Sequence, residues 1–152
     1  MSESNTVTNR ESDPNYRSVK VERVEKQRYR ATNSEGASVE FGQGEGLLNP
    51  VEMLLAAIAG CSAIDVDVVT SRRSEPEVFE VKPSAIKLNE DGAVRLDDVE
   101  VSFNVRFPND AKGKQAEQLV DRLMKLSHEK DCTVSRTVEY GANVRFINEN
   151  AS

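Results

Sequence analysis

The sequence predicts an α+β domain with mainly antiparallel pairing. Three observations lead there. Short alternating segments precede and follow one long apolar run, that run has the length and cap of a helix, and Asp91-Gly92 marks a hairpin between two extended stretches. A chain of 152 residues suits one domain with one core. Residues 1–15 hold Pro14 and, after Met1, only Val7 as an apolar side chain. They are expected to form a flexible polar tail, and residues 16–150 the single domain.

Val19, Val21 and Val24 mark a first strand, and Gln27 to Thr32 a second. Asn33-Ser34-Glu35-Gly36 is a turn, after which Ala37 to Phe41 alternates with period two as a third strand. Gly42, Gly44 and Gly46 read as a flexible linker; they lack the full spacing of a dinucleotide fingerprint and its βαβ context. Asn49 can cap the long helix, Pro50 suits its first position, and Glu52 makes the start resemble a capping box.

That helix should run from Val51 to Val69 with only Glu52, Asp65 and Asp67 charged. These charges and an amphipathic C-terminal half argue for an enclosed helix rather than a membrane span. Arg72 and Arg73 suit the dipole at its end, and Pro76 prevents continuation. Val78 to Leu88 is extended, with Pro83 implying a bulge or an edge strand. Val94 to Phe107 follows, alternating cleanly from Val99 onward. Lys114 to Lys130 reads as a second helix, its stripe formed by Ala116, Leu119, Val120, Leu123, Met124 and Ser127. A short turn or helix from Cys132 to Tyr140 is closed by Gly141, and Ala142 to Ile147 reads as a last strand. A small sheet covers one face of the apolar helix. The other face needs a second helix or a second subunit, so a homodimer is expected.

Composition excludes several functions. A formal net charge of −6 speaks against wholesale nucleic-acid binding, and the absence of tryptophan speaks against a base-stacking platform. Charged residues make up 30% of the chain, which speaks against a membrane protein. Two cysteines and one histidine, His128, cannot build a four-cysteine or two-cysteine, two-histidine zinc site within one chain. Residues 1–15 carry no apolar signal run, so the cytoplasm is the expected compartment, where a thiol pair is more often redox-active than structural.

Cys61 lies inside the apolar helix with Leu54, Ala57, Ile58, Ile64 and Asp65 on its face. A small buried core residue is the ordinary fate of such a cysteine. Gly60 beside it costs about 1 kcal/mol in a helix interior and favours a close approach by another group. Cys132 follows the second helix. If Asp131 caps a short helix, Cys132 enters its first turn, where backbone N–H groups favour a thiolate. Asp65, four residues after Cys61, would raise that thiol's pKa. Whether the two sulfurs meet cannot be read from their spacing.

The segment Asn49-Pro50-Val51-Glu52-Met53-Leu54-Leu55-Ala56-Ala57-Ile58-Ala59-Gly60-Cys61-Ser62-Ala63-Ile64-Asp65-Val66 resembles the central-helix signature of the OsmC/Ohr family. Cys132-Thr133-Val134-Ser135-Arg136-Thr137 resembles that family's second-cysteine segment. The likeness extends over roughly residues 17–148. It implies an OsmC-like fold in which an antiparallel sheet packs on a long central helix, within an intertwined homodimer whose central helices lie back to back. It implies a peroxidatic Cys61 and a resolving Cys132, small organic hydroperoxides as substrates, and a dithiol such as dihydrolipoamide as reductant. It requires no metal, haem or flavin, so no cofactor is expected.

One departure stands out. The family's glutamate, which partners an arginine at the reactive thiol, corresponds to Val51, and Glu52 stands one residue later. One residue is about 100° of helix rotation, so Glu52 can serve the cap instead. Arg23, Arg28 and Arg30 are the possible activating cations. The residues alone do not choose among them, and Arg30 with Glu52 stands as the auxiliary pair. The departure keeps a second reading open: an OsmC-like stress-associated dimer that binds a small apolar ligand without fast peroxidase chemistry.

Overall fold

A computed structural model describes residues 10–151 of the chain. The part of the expected tail before residue 10 lies outside the described residues; residues 10–12 form a helical turn. Two compact units divide between Met53 and Leu54.

The first unit is a three-stranded antiparallel sheet in the order β1 (Lys20–Glu25), β2 (Arg28–Thr32), β3 (Ser38–Gly42). The β2–β3 turn forms because the Asn33 side-chain oxygen accepts both the Glu35 and Ala37 N–H groups at 3.0 Å. Arg30 stands directly opposite Glu40 across the sheet and pairs with it at 3.0 Å. Gly42 is needed rather than merely flexible. A Cβ there would lie 2.0 Å from the Gln27 carbonyl oxygen, which the Gln43 N–H reaches at 2.8 Å.

Helix α1 (Pro50–Thr70) begins with a reciprocal cap. The Asn49 oxygen accepts the Glu52 N–H at 2.8 Å, and the Glu52 carboxylate accepts the Asn49 N–H at 2.9 Å. The expected capping box is therefore present. Ile58, Ala59, Ser62, Val66 and Thr70 form the buried face of α1. Val51, Leu54, Ile64 and Val68 are exposed.

In the second unit, β4 (Val78–Glu90) and β5 (Ala93–Arg106) form a separate two-stranded hairpin. Asp91 and Gly92 both take positive φ, the geometry that matches the twist of flanking strands. A bulge lies opposite Ala85, where the register jumps between Ser84 and Ile86 and Asp98 adopts φ 51°. Pro83 sits one pair before it.

Helix α2 (Ala111–Leu126) is capped by Asp110, whose carboxylate accepts the Gly113 N–H at 2.8 Å. It passes into a π-type turn, Ser127–Asp131, and then into α3 (Thr133–Tyr140), closed by Gly141 at φ 77°. The second helix was expected to run unbroken to Lys130; the wider turn replaces its last part. Among the described residues, Ile58, Ala59, Val66, Phe107, Ala116 and Cys132 are the buried apolar ones.

The strand expected over Ala142 to Ile147 is absent: residues 141–148 adopt no regular structure. The pattern alternates as a strand requires, but a strand exists only against a partner. No ladder includes this segment among the described residues, and Phe146 is 96% exposed.

Candidate functional site

Both cysteines carry free thiols, and the structure brings them together. Cys61 sits mid-way along α1, half-buried, and Cys132 is 0% exposed. The N-terminus of α3 faces both sulfurs. The Val134 N–H lies near enough to the Cys61 sulfur to favour its thiolate. The Ser135 N–H donates to the Cys132 Sγ at 3.3 Å. The two thiols are neighbours, near enough that each shifts the ionisation of the other.

Cys132 is thus the N-cap of α3. The expectation placed Asp131 there and Cys132 in the first turn. The π-type turn explains the shift, because it absorbs Asp131: the Cys132 N–H reaches back five residues to the Ser127 carbonyl at 2.9 Å. Cys132 is left extended, at φ −79° and ψ 96°, with its sulfur over the free N–H groups of the next helix.

The two thiols differ electrostatically. Burial pushes the Cys61 thiol up, and although the Val134 N–H pulls it back, the hydrogen bond and charge of Cys132 and the carboxylate of Asp65 keep it above its ordinary value. Burial also opposes ionisation of Cys132. Hydrogen bonds from the Ser135 hydroxyl and N–H, the Cys61 thiol and the Ser62 hydroxyl outweigh it, and Cys132 falls below its ordinary value. Of the two thiols, Cys132 is the one shifted toward ionisation and Cys61 the one shifted away from it. The expected pKa-raising effect of Asp65 on Cys61 is present.

The leading influences on Cys61 are burial, the Val134 N–H, Cys132 and Asp65, none of them cationic. In the first unit, Arg23 faces Tyr29 in the β1–β2 register. Arg28 contacts Glu25 and Glu40, and Arg30 contacts Glu40. Glu52 is held by the α1 cap. No cluster of three or more metal-ligating side chains occurs among the described residues.

Four contributors were not read from the sequence: Ser62, Ser127, Val134 and Ser135. Ser127 carried a signal. It was the polar member of an otherwise apolar helix stripe, and such a residue must find a partner when buried. It is 1% exposed, and its hydroxyl donates to Asp65 Oδ2 at 2.7 Å. Asp65 also lines a cleft of about 230 Å³ with Ile64, Val68, Val69, Leu123 and Asp131.

Comparison with known proteins places this geometry in a wider setting. Residues 42–146 match the profile of a family described as OsmC-like protein. A hypothetical protein from Aquifex aeolicus is similar in structure over 84% of this chain and 89% of its own, at 22% identity and a TM-score of 0.64. An OsmC-like protein of unknown function from Vibrio cholerae covers 81% of this chain and 93% of its own, at 18% identity and a TM-score of 0.63. An OsmC-like protein from Mycoplasma pneumoniae covers 83% and 89%, at 14% identity and a TM-score of 0.57. These likenesses establish the fold: helices combined with antiparallel sheet, as in OsmC-like structures. Among curated proteins no sequence matches.

Proposed function

We infer that this chain, which belongs to the OsmC-like protein family, is a thiol-dependent reductase of small organic hydroperoxides. The observation that carries the reading is the neighbouring pair of Cys61 and Cys132, with the Cys132 sulfur capping the N-terminus of α3. Two thiols remote in sequence, brought together and held unequally ionised, are the minimum equipment for peroxide reduction through a disulfide.

The chemistry follows from where the proton lies. Cys61 is the more accessible thiol and the peroxidatic residue of this reading. Its proton passes to the neighbouring Cys132 thiolate. The Cys61 thiolate then attacks one peroxide oxygen, the O–O bond breaks, and the departing alkoxide takes the proton back from Cys132. An alcohol leaves and Cys61 becomes a sulfenic acid. The Cys132 thiolate next attacks the Cys61 sulfur and displaces hydroxide, which solvent protonates to water. One hydroperoxide and two thiols have become an alcohol, a disulfide and water. A small dithiol such as dihydrolipoamide returns the pair to the reduced state by exchange.

The working form in this reading is a cytoplasmic homodimer with the central helices back to back. Val51, Leu54, Ile64 and Val68 on α1 support it, as do Val144, Phe146 and Ile147 beyond α3: all are apolar and exposed in the single chain. Arg30 and Glu52 enter as auxiliary groups. Each already has a partner, Glu40 and Asn49 respectively, so any part they take in activation begins by exchanging it.

The test is consumption of tert-butyl or cumene hydroperoxide by the reduced protein with a dithiol present. Cys61→Ser should abolish turnover, and Cys132→Ser should leave a trappable sulfenic acid on Cys61. Unchanged consumption by Cys61→Ser rejects the assigned nucleophile. The raised pKa of Cys61 favours a second reading, a dimer that binds a small apolar molecule and reacts slowly with peroxide. Stopped-flow oxidation of Cys61 decides between them: rapid reaction at micromolar peroxide eliminates the binding-only form.

A further inference from the structure

We propose that Asp65 and Ser127 form a latch that positions Cys132 for disulfide formation, and that Asp65 is a positioning residue of the redox cycle. The proposal rests on the thiol-reductase reading and adds two residues that carry neither oxidised sulfur.

Ser127 joins three elements. Its N–H bonds the Leu123 and Met124 carbonyls and so closes α2. Its carbonyl accepts the Cys132 N–H and so closes the π-type turn. Its hydroxyl crosses to Asp65 on α1 at 2.7 Å. Asp65 is one helical turn beyond Cys61 on the same face. The bonds therefore make a loop, from Cys61 along α1 to Asp65, across to Ser127, and through its carbonyl to Cys132. A rise of 1.5 Å per residue puts four residues of helix at about 6 Å. This short path ties the main chain of one cysteine to that of the other.

The chemistry of Asp65 argues that the bond matters. A carboxylate near Cys61 opposes the thiolate that attack requires, and Asp65 has that effect here. It forms no ion pair among the described residues that would offset the half-burial of its charge. What it does form is a charge-assisted hydrogen bond to a buried hydroxyl, about twice as strong as a neutral one. Disulfide formation needs the sulfurs to close to bonding distance in one geometry, and holding Cys132 in place converts an encounter into a step within one assembly. Wide turns of this kind also recur at functional sites.

The test separates the two steps of oxidation. In full-length protein, Ser127→Ala and Asp65→Ala should slow conversion of the Cys61 sulfenic acid to the disulfide tenfold or more. Both should lower the disulfide's stability against a dithiothreitol redox buffer by a similar factor. Placed in a Cys132→Ser background, Ser127→Ala should leave the rate of sulfenic acid formation unchanged, which a general loss of structure would not. Asp65→Asn and Ser127→Thr keep an acceptor and a hydroxyl and should recover disulfide formation to within about threefold. The Asp65→Ala/Ser127→Ala double variant should be no slower than the worse single one, because both remove the same bond. Disulfide rate and stability equal to wild type in both alanine variants, or strictly additive losses, overturn the latch. Failure of the underlying reading looks different: wild-type protein forms the disulfide in the redox buffer, the latch variants weaken it, and hydroperoxide is not consumed.

Discussion

Two helix N-termini in this chain solve the same problem with different atoms. At α1, Asn49 and Glu52 satisfy each other's N–H groups with oxygen at 2.8 and 2.9 Å. At α3, the acceptor is the Cys132 sulfur, 3.3 Å from the Ser135 N–H. An amide oxygen is a strong acceptor in any protonation state. A thiol is a weak one and becomes a strong one only as thiolate. The Asn49 half of the α1 cap is therefore independent of pH, whereas the α3 cap ties structure to ionisation. In the proposed reading, the functional N-terminus is the one where the better structural cap was not used.

The largest effect expected from this contrast comes from giving α3 an oxygen cap. Cys132→Asn should abolish the disulfide and let sulfenic acid accumulate on Cys61, detected by mass spectrometry after trapping. Unfolding in urea should show stability unchanged or raised by up to about 1 kcal/mol. The reverse perturbation is smaller. Asn49→Ala should cost about 1 kcal/mol of stability and leave the thiol titration, followed by thiolate absorbance, where it was. A shift in that titration would mean the two caps are not independent.

The smallest effect is the pH dependence of stability, in which the two thiols act in opposite directions. Cys132 ionises below its ordinary value when folded, so its contribution is present above the unfolded thiol pKa and is lost as pH falls through the folded value. Cys61 is raised, so its contribution is present below the unfolded pKa and is lost as pH rises through the folded value. Urea midpoints over roughly pH 7 to 10 should rise with pH in Cys61→Ala and fall in Cys132→Ala. Identical slopes in the two variants would remove the asymmetry on which the comparison rests.

Local rules account for what the sequence disclosed. The Asn49–Glu52 cap, the Asp91-Gly92 hairpin and the three N-terminal strands depend on neighbouring residues, and each formed where its residues implied. Features that depend on remote residues were not legible. Spacing did not reveal whether Cys61 and Cys132 meet, because the packing of α1 against the turn before α3 decides it. The cap moved from Asp131 to Cys132 because one turn widened, and no residue type in Ser127–Asp131 announces that. Residues 142–147 have a strand's alternation, yet alternation names a face and not the neighbour that must cover it.

The brevity of α3 has a further consequence. Eight residues are too few to hold a helix in water unaided, so its first turn depends on what the sulfur offers. When Cys132 enters a disulfide, that sulfur gives up its charge and the Ser135 amide loses its strongest acceptor. Amide hydrogen exchange at Ser135 should then quicken on oxidation and slow again on reduction, so that one backbone proton reports the redox state of a bond it takes no part in.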